Sequence, residues 1–527
     1  MGIYLNPGND AFRISLNDDI FVDKSNLIAF TNHKIDKNKR FLCVSRPRRF
    51  GKSMAANMLS AYYDRSCDSQ SLFNSLNIAK DTSYTQHLNQ YDVIFLNIQK
   101  YLRKAGKPKD LVSYMENKIL TEIKETYGEL IHQNENSLPD ALETIYSKSQ
   151  NKNKGFVFII DEWDCIFRVA KNDIEAQECY LDFIRDLFKD RTYVKLAYMT
   201  GILPIKKYGT HSALNMFDEF SMTNPEQLAE YVGFTETEVS QLCEQYQKDF
   251  EEVKRWYDGY QLGENLHIYN PKSVVDGMQS SKLRSFWTST ETYEALQIYI
   301  DLDRDGLKEA LVSMLGGEHC KIDIGTFQND MTTFKSKDDV LTLLVHLGYL
   351  SYDDTNHAVF IPNDEVRQEF LRAVKNGKRA DLIKAIQKSD ELMAATLRMD
   401  GDEVARLVEE VHSLTTSPLF YNDEQALRAV IQLAYYSRID DYSTIQELPS
   451  GKGYADLLFL PYKHSTKPAL LIELKWNKDA QSAITQIKKN NYVQSIENYD
   501  KEILLIGINY NTKTKKHSCV IEKYSHS

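Results

Sequence analysis

Phe41-Leu42-Cys43-Val44-Ser45, then Arg46-Pro47-Arg48-Arg49-Phe50-Gly51-Lys52-Ser53, then the helix-compatible run Met54–Tyr63 stand in direct succession. An apolar strand, a basic loop closing on Gly-Lys-Ser, and a helix are the order in which a backbone cradles phosphate. Gly51 lets the main chain approach an anion, and Lys52 can reach β/γ oxygens. Ser53 offers a hydroxyl to Mg²⁺ at a helix N-terminus. Arg48, Arg49, Phe50 and Met54 complete this candidate nucleotide-binding set. The first glycine of GxxxxGK[ST] is missing, with Arg46 in its place. The loop alone is therefore read equally well as a solvated basic turn.

A second strand raises the nucleotide reading. Phe156-Val157-Phe158-Ile159-Ile160 ends in Asp161-Glu162. Such an acidic strand end holds the Mg²⁺ shell through its first carboxylate and orients water through its second, making Glu162 a catalytic candidate and Asp161 a metal candidate with Ser53. Thr200, closing the strand Val194–Thr200, lies where a residue could contact a γ-phosphate; a plain polar strand end explains it as well. Strands at Phe41–Ser45, Val93–Ile98, Phe156–Asp161 and Val194–Thr200 alternate with helical stretches such as Leu111–Tyr127 and Ala176–Lys189. That alternation predicts a parallel sheet covered on both faces.

At 527 residues the chain exceeds one compact core. Charged residues make up 26% and hydrophobic ones 42%, which excludes disorder and low-complexity scaffolding for the whole. Net charge is −11, so bulk electrostatics does not coat nucleic acid, and any such site is a local groove. No apolar run approaches the ~20 residues of a membrane span, and the N-terminus lacks a signal-peptide pattern. Seven scattered cysteines form no CxxC pair, which fits reduced thiols in a cytoplasmic protein.

The middle of the chain reads helix (Asp339–Leu347), two short strands around a turn at Asp353–Asn356, then helix: a winged-helix pattern or a helical linker with one hairpin. The last stretch returns to α/β. Gly453-Tyr454-Ala455-Asp456 opens one strand, and Glu473-Leu474-Lys475 ends the next, Ala469–Lys475. Period-two geometry puts Glu473 and Lys475 on one face, and Asp456 on a neighbouring strand brings a second carboxylate to the same divalent ion. This is the Asp…(D/E)xK pattern of a metal-dependent nuclease; a structural ion pair is the plain alternative. Glu424, on the preceding helix, is a third candidate ligand. Gln486, Lys488 and Lys489, on the following helix, are candidates to meet nucleic acid, although a solvated helix face explains them too.

With these residues in place, the chain resembles a family of uncharacterised bacterial proteins that join an AAA-ATPase-like domain to a PD-(D/E)XK nuclease-superfamily domain. The resemblance rests on Phe21-Val22-Asp23-Lys24, Arg46 to Ser53, Ile160-Asp161-Glu162-Trp163-Asp164, Thr200-Gly201-Ile202 and Trp256-Tyr257-Asp258-Gly259-Tyr260. It continues through Tyr269-Asn270-Pro271, Ile361-Pro362-Asn363-Asp364-Glu365-Val366, Gly453 to Asp456 and Glu473-Leu474-Lys475-Trp476. It implies that Arg46 belongs to this family's own form of the phosphate loop. The basic residue usual before the nuclease Asp is replaced by Tyr454-Ala455.

The expected fold class is α/β. A P-loop core over 1–223 leads to a helical lid over 224–300 and a winged-helix-like segment over 301–376. A helical linker over 377–415 and a restriction-endonuclease-like domain over 416–527 complete it. The expected function is an ATP-binding and hydrolysing protein coupled to a nuclease that cleaves nucleic acid, DNA before RNA. Its cofactors would be ATP with Mg²⁺, and Mg²⁺ or Mn²⁺ at Asp456 and Glu473, with Lys475 supporting the nucleophile. Defence against foreign DNA is a role such a pairing could serve. The alternative is a nucleotide-responsive switch that grips DNA or a protein without cutting. AAA-like ATPases often work as rings, so a homo-oligomer is compatible, although the sequence shows no interface.

Overall fold

A computed structural model describes residues 2–132, 134–149, 155–205, 214–263, 266–287, 293–302, 304, 306–329, 331–376, 380–415, 424–435, 438, 441–450, 453–462, 465–490, 492–493 and 502–524. The chain forms two compact units. One comprises Met1–Trp287 with Lys321–Val366, the other Thr288–Cys320 with Arg367–Ser527.

The first unit is built on five parallel strands: β1 (Phe41–Ser45), β2 (Asp92–Asn97), β3 (Phe156–Asp161), β4 (Val194–Gly201) and β5 (Asp218–Phe220). Their spatial order is β2-β3-β4-β1-β5, so the loop-bearing strand and the acidic strand are separated by β4. Every residue of β1 and β3 is buried, which explains why both read as unbroken apolar runs. In-register pairing sets Asn97 beside Asp161 and Asp161 beside Thr200, a polar row at the carboxyl ends of three adjacent strands. Open α/β sheets bind ligands beyond that edge.

Beyond the sheet, β6 (Phe234–Thr235), β7 (Tyr260–Gln261) and β8 (His267–Tyr269) form a small antiparallel sheet. Around it pack helices Glu236–Tyr246, Phe250–Tyr257 and Pro271–Gln279. Each of these helices is capped by a side chain, from Thr235, Asp249 and Asn270 respectively. The expected helix–hairpin pattern follows in the same unit: helix Lys337–Leu347, then antiparallel strands Ser351–Asp353 and Ala358–Phe360.

The second unit holds a five-stranded mixed sheet: Tyr442–Ser450, Gly453–Pro461, Ala469–Trp476, Ile503–Asn511 and Lys516–Lys523, adjacent in that order. Ala469–Trp476 and Ile503–Asn511 run parallel and are joined across helix Ala480–Lys489; the other pairs are antiparallel. The helix lies close on the sheet at Gly507, where a Cβ would stand 2.3 Å from the Ala480 carbonyl oxygen. Sequence pattern missed the edge strand Tyr442–Ser450. It carries Pro449, which an edge strand tolerates and a central one does not. Among the described residues no helix is long and apolar enough to cross a membrane.

Candidate functional sites

In the first unit, Gly51 adopts φ 90° and caps helix Lys52–Tyr63, a turn that an L side chain rarely accepts. Lys52 is buried and donates to the Pro47 carbonyl at 2.8 Å, so its ammonium folds over the loop that precedes it. Burial lowers its pKa, against the pull of Glu162 and Asp164. The Ser53 hydroxyl donates to Asp161 Oδ2 at 2.8 Å, and Asn97 donates to the same oxygen at 2.9 Å. Asp161 Oδ1 and the Thr200 hydroxyl are buried without a hydrogen-bond partner. Burial also pushes the Asp161 carboxyl up, against the hydrogen bond from Ser53 and the charge of Lys52. These donors fit a hydrated Mg²⁺: an alcohol, a carboxylate with one oxygen uncommitted, and a neighbouring hydroxyl.

Glu162 sits at φ 56° and pairs with Arg168, whose Nε also donates to Asp164 Oδ2 at 2.9 Å. Arg168 belongs to none of the motifs quoted above. An arginine just beyond apolar Cys165-Ile166-Phe167 and one turn after Asp164 was the available signal. Glu162 and Arg168 face a cleft of about 710 Å³ that Arg48, Arg49, Phe50, Gly51, Lys52, Ser53 and Met54 also line. Its apolar wall includes Phe21, Val22, Phe234, Pro271 and Val275. Arg48 is exposed; Arg49 donates to the Phe286 carbonyl at 3.3 Å, and Phe50 packs edge-on to Tyr260. Thr200 does not line the cleft directly but lies in register with Asp161 beneath it.

Arg46, at the missing-glycine position, is fully buried. It donates to the carbonyls of Ser45 (2.9 Å), Phe220 (3.0 Å) and Leu228 (3.3 Å). Burial draws its pKa down to about 10. It ties three backbone segments together beneath the loop, where a glycine would contribute nothing.

In the second unit, Asp456 and Glu473 come from neighbouring antiparallel strands. Asp456 Oδ2 accepts from the Leu474 amide at 2.8 Å, which fixes the carboxylate across the strand gap. Glu473 is 2% exposed; its Oε1 accepts from Lys475 Nζ at 2.8 Å and from Gln486 Nε2, while its Oε2 is buried with no partner. Burial, and then the charge of Asp456, raise its carboxyl to about 7. Lys475 is also bonded to the Leu474 carbonyl at 3.0 Å. Two carboxylates one strand apart, one with an orphaned oxygen, fit a divalent cation of oxygen preference.

Gln486 thus reaches the acidic pair, and it donates to the Tyr492 hydroxyl at 3.1 Å as well. Lys488 pairs with Glu522 on the last strand, while Lys489 is exposed. Glu424 opens helix Glu424–Ala434, and its side chain lies outside the described residues. The same helix supplies a residue that sequence reading missed: Arg428, whose Nη2 lies 3.1 Å from Asp456 Oδ1.

Residues 8–210 match the family described as predicted AAA-ATPase, and residues 422–519 match the PD-(D/E)XK nuclease superfamily. Among solved structures, the Walker-type ATPase PABY2304 of Pyrococcus abyssi is similar at 11% identity and a TM-score of 0.36, covering 67% of this chain and 97% of that one. No curated protein matches.

Proposed function

From a chain that joins an AAA-ATPase-like domain over 8–210 to a PD-(D/E)XK nuclease-superfamily domain over 422–519, we propose a nucleotide-controlled, metal-dependent nuclease acting on DNA. The observation that carries the nuclease half is the partnerless Oε2 of buried Glu473, one strand from Asp456 and bonded to Lys475 through its other oxygen. Asp456 and Glu473 would hold Mg²⁺ or Mn²⁺, which supplies an activated water and stabilises phosphoryl charge. Lys475 would steady the nucleophile, and Gln486 holds the Glu473 carboxylate in place. The Tyr454-Ala455 pair brings no basic residue to the start of the Asp strand, so backbone phosphates would be met elsewhere; exposed Lys489 is one candidate.

In the ATPase half, Lys52 would exchange the Pro47 carbonyl for the β/γ oxygens of ATP. Ser53 and Asp161 would hold Mg²⁺, with the Thr200 hydroxyl backing Asp161 at the same sheet edge. Glu162 would orient the hydrolytic water once Arg168 positions it. Nucleotide state gating a nuclease suits an effector held quiet until foreign DNA appears.

The test incubates the full chain with plasmid, single-stranded DNA and RNA, with Mn²⁺ or Mg²⁺, with and without ATP. Cleavage that Glu473→Ala abolishes supports the nuclease. If Lys52→Ala loses nucleotide binding while cleavage stays fully ATP-responsive, the coupling is wrong. Saturable, salt-sensitive DNA binding without any product favours the non-cleaving switch instead.

A further inference from the structure

A third set of metal-ligating groups lies outside both sites. Glu236 opens helix Glu236–Tyr246, Asp258 follows helix Phe250–Tyr257, and His267 opens β8. One ligand atom from each lies within 4.8 Å of the other two. Asp258 is 6% exposed: its Oδ2 meets His267 Nδ1 at 2.9 Å, but its Oδ1 is buried with no hydrogen-bond partner. The fully buried hydroxyl of Tyr269, two residues after His267, also lacks a partner and feels the charges of Asp258 and Glu236. Buried polar atoms are nearly always satisfied by protein, water or an ion. The uncommitted Asp258 oxygen is thus available to an ion held by the His–Asp–Glu set. The Asp258 backbone is fixed independently, since Asn363 Nδ2 donates to its carbonyl at 2.7 Å.

We propose that Glu236, Asp258 and His267 bind a first-row divalent cation, Zn²⁺ in preference to Mg²⁺, with a metal-bound water reaching the Tyr269 hydroxyl. One imidazole with two carboxylates is a nitrogen–oxygen donor set that suits zinc, whereas Mg²⁺ avoids imidazole. The His267 side chain is 37% exposed, which leaves an approach for the ion and for water. Donor atoms around such an ion stand about 3–3.6 Å apart, so the set closes by roughly 1 Å on binding. The present His267–Asp258 hydrogen bond gives way to two metal bonds. Lys254, 2.9 Å from Glu236 Oε2, has a 36% exposed side chain and can swing into water as the ion arrives.

The site has a structural consequence. Phe234 pairs with Tyr269 across β6 and β8, and Gly233, Phe234, Pro271 and Lys272 all border the nucleotide cleft. An ion joining Glu236 to His267 fixes the spacing of the two segments that carry this wall.

The test uses the whole chain in a Glu473→Gln background, which takes a ligand from the proposed nuclease-site metal, stripped with chelator and free of nucleotide. Titration with Co²⁺ as a spectroscopic probe, and with Zn²⁺ against a chromophoric chelator, reads the site without any ATPase or nuclease assay. The expected result is one equivalent of Zn²⁺ with visible Co²⁺ ligand-field bands. Glu236→Gln should weaken binding at least tenfold, and His267→Ala should abolish the bands. Circular dichroism checks that each variant is folded; should His267→Ala not fold, Glu236→Gln decides. No bound equivalent in the background protein, or an affinity that Glu236→Gln leaves unchanged, overturns the proposal.

Discussion

Glu473 should make the metal-free protein lose stability as pH rises from about 5 to about 7.5. Its carboxyl stands at about 7 instead of an ordinary 4.5, because burial and then Asp456 oppose its charge. Between those values the native state holds more protons than the unfolded chain, so the free energy of unfolding falls with rising pH. The interval from 4.5 to 7, at about 1.36 kcal/mol per pH unit, amounts to roughly 3 kcal/mol. Solvent screening removes little of it, since the residue is 2% exposed. In a unit of roughly 200 residues this is a fall of about 6–12 °C in its midpoint. Scanning calorimetry in chelator across this pH range reads it directly. Glu473→Gln, whatever its absolute stability, should lose the slope. Mn²⁺ should cancel the slope in the wild type by binding the ionised form. A wild-type midpoint that stays flat in chelator, or an equal slope in Glu473→Gln, would refute the reasoning.

Three further outcomes follow from individual contacts. Arg46→Met should destabilise the first unit by about 3 kcal/mol in urea, because the Ser45, Phe220 and Leu228 carbonyls lose a charged donor; a change below about 1 kcal/mol would mean those carbonyls find other partners. Arg168→Ala should lower ATP turnover more than tenfold while nucleotide affinity stays within about twofold, since its ion-pair partners are Glu162 and Asp164; equal losses in both would assign Arg168 to binding. Arg428→Ala should raise Mn²⁺ affinity about three- to tenfold by removing the cation that competes for Asp456 Oδ1, measured by calorimetric titration; a drop would make Arg428 a support of the site.

Much of the ATPase framework was legible because its signals are local. β1 and β3 are buried on both faces and therefore read as uninterrupted apolar runs, and the helix after Gly51 starts where Gly-Lys-Ser says it should. Asp456 and Glu473 were legible as charges set at strand positions that otherwise bury apolar side chains. The edge strand Tyr442–Ser450 was not, since its polar alternation and proline look like a loop until the neighbouring strand supplies its hydrogen bonds. Lys488, a candidate phosphate contact, also has a partner that no local pattern records: Glu522, which arrives 34 residues later.

The sequence by itself determined the succession of β1 to β4 with helices between them, the candidate phosphate loop, and the acidic residues carried on strands, because each is written within a dozen neighbouring residues. Only the tertiary structure decided what those charges meet. Arg46 finds carbonyls 174 and 182 residues away, Arg428 finds Asp456, and Glu236, Asp258 and His267 converge from three elements. Whether a charged group is a bolt, a ligand or a surface ornament depends on its burial and its partners. Both are set by packing between segments far apart in the chain, which no local pattern records.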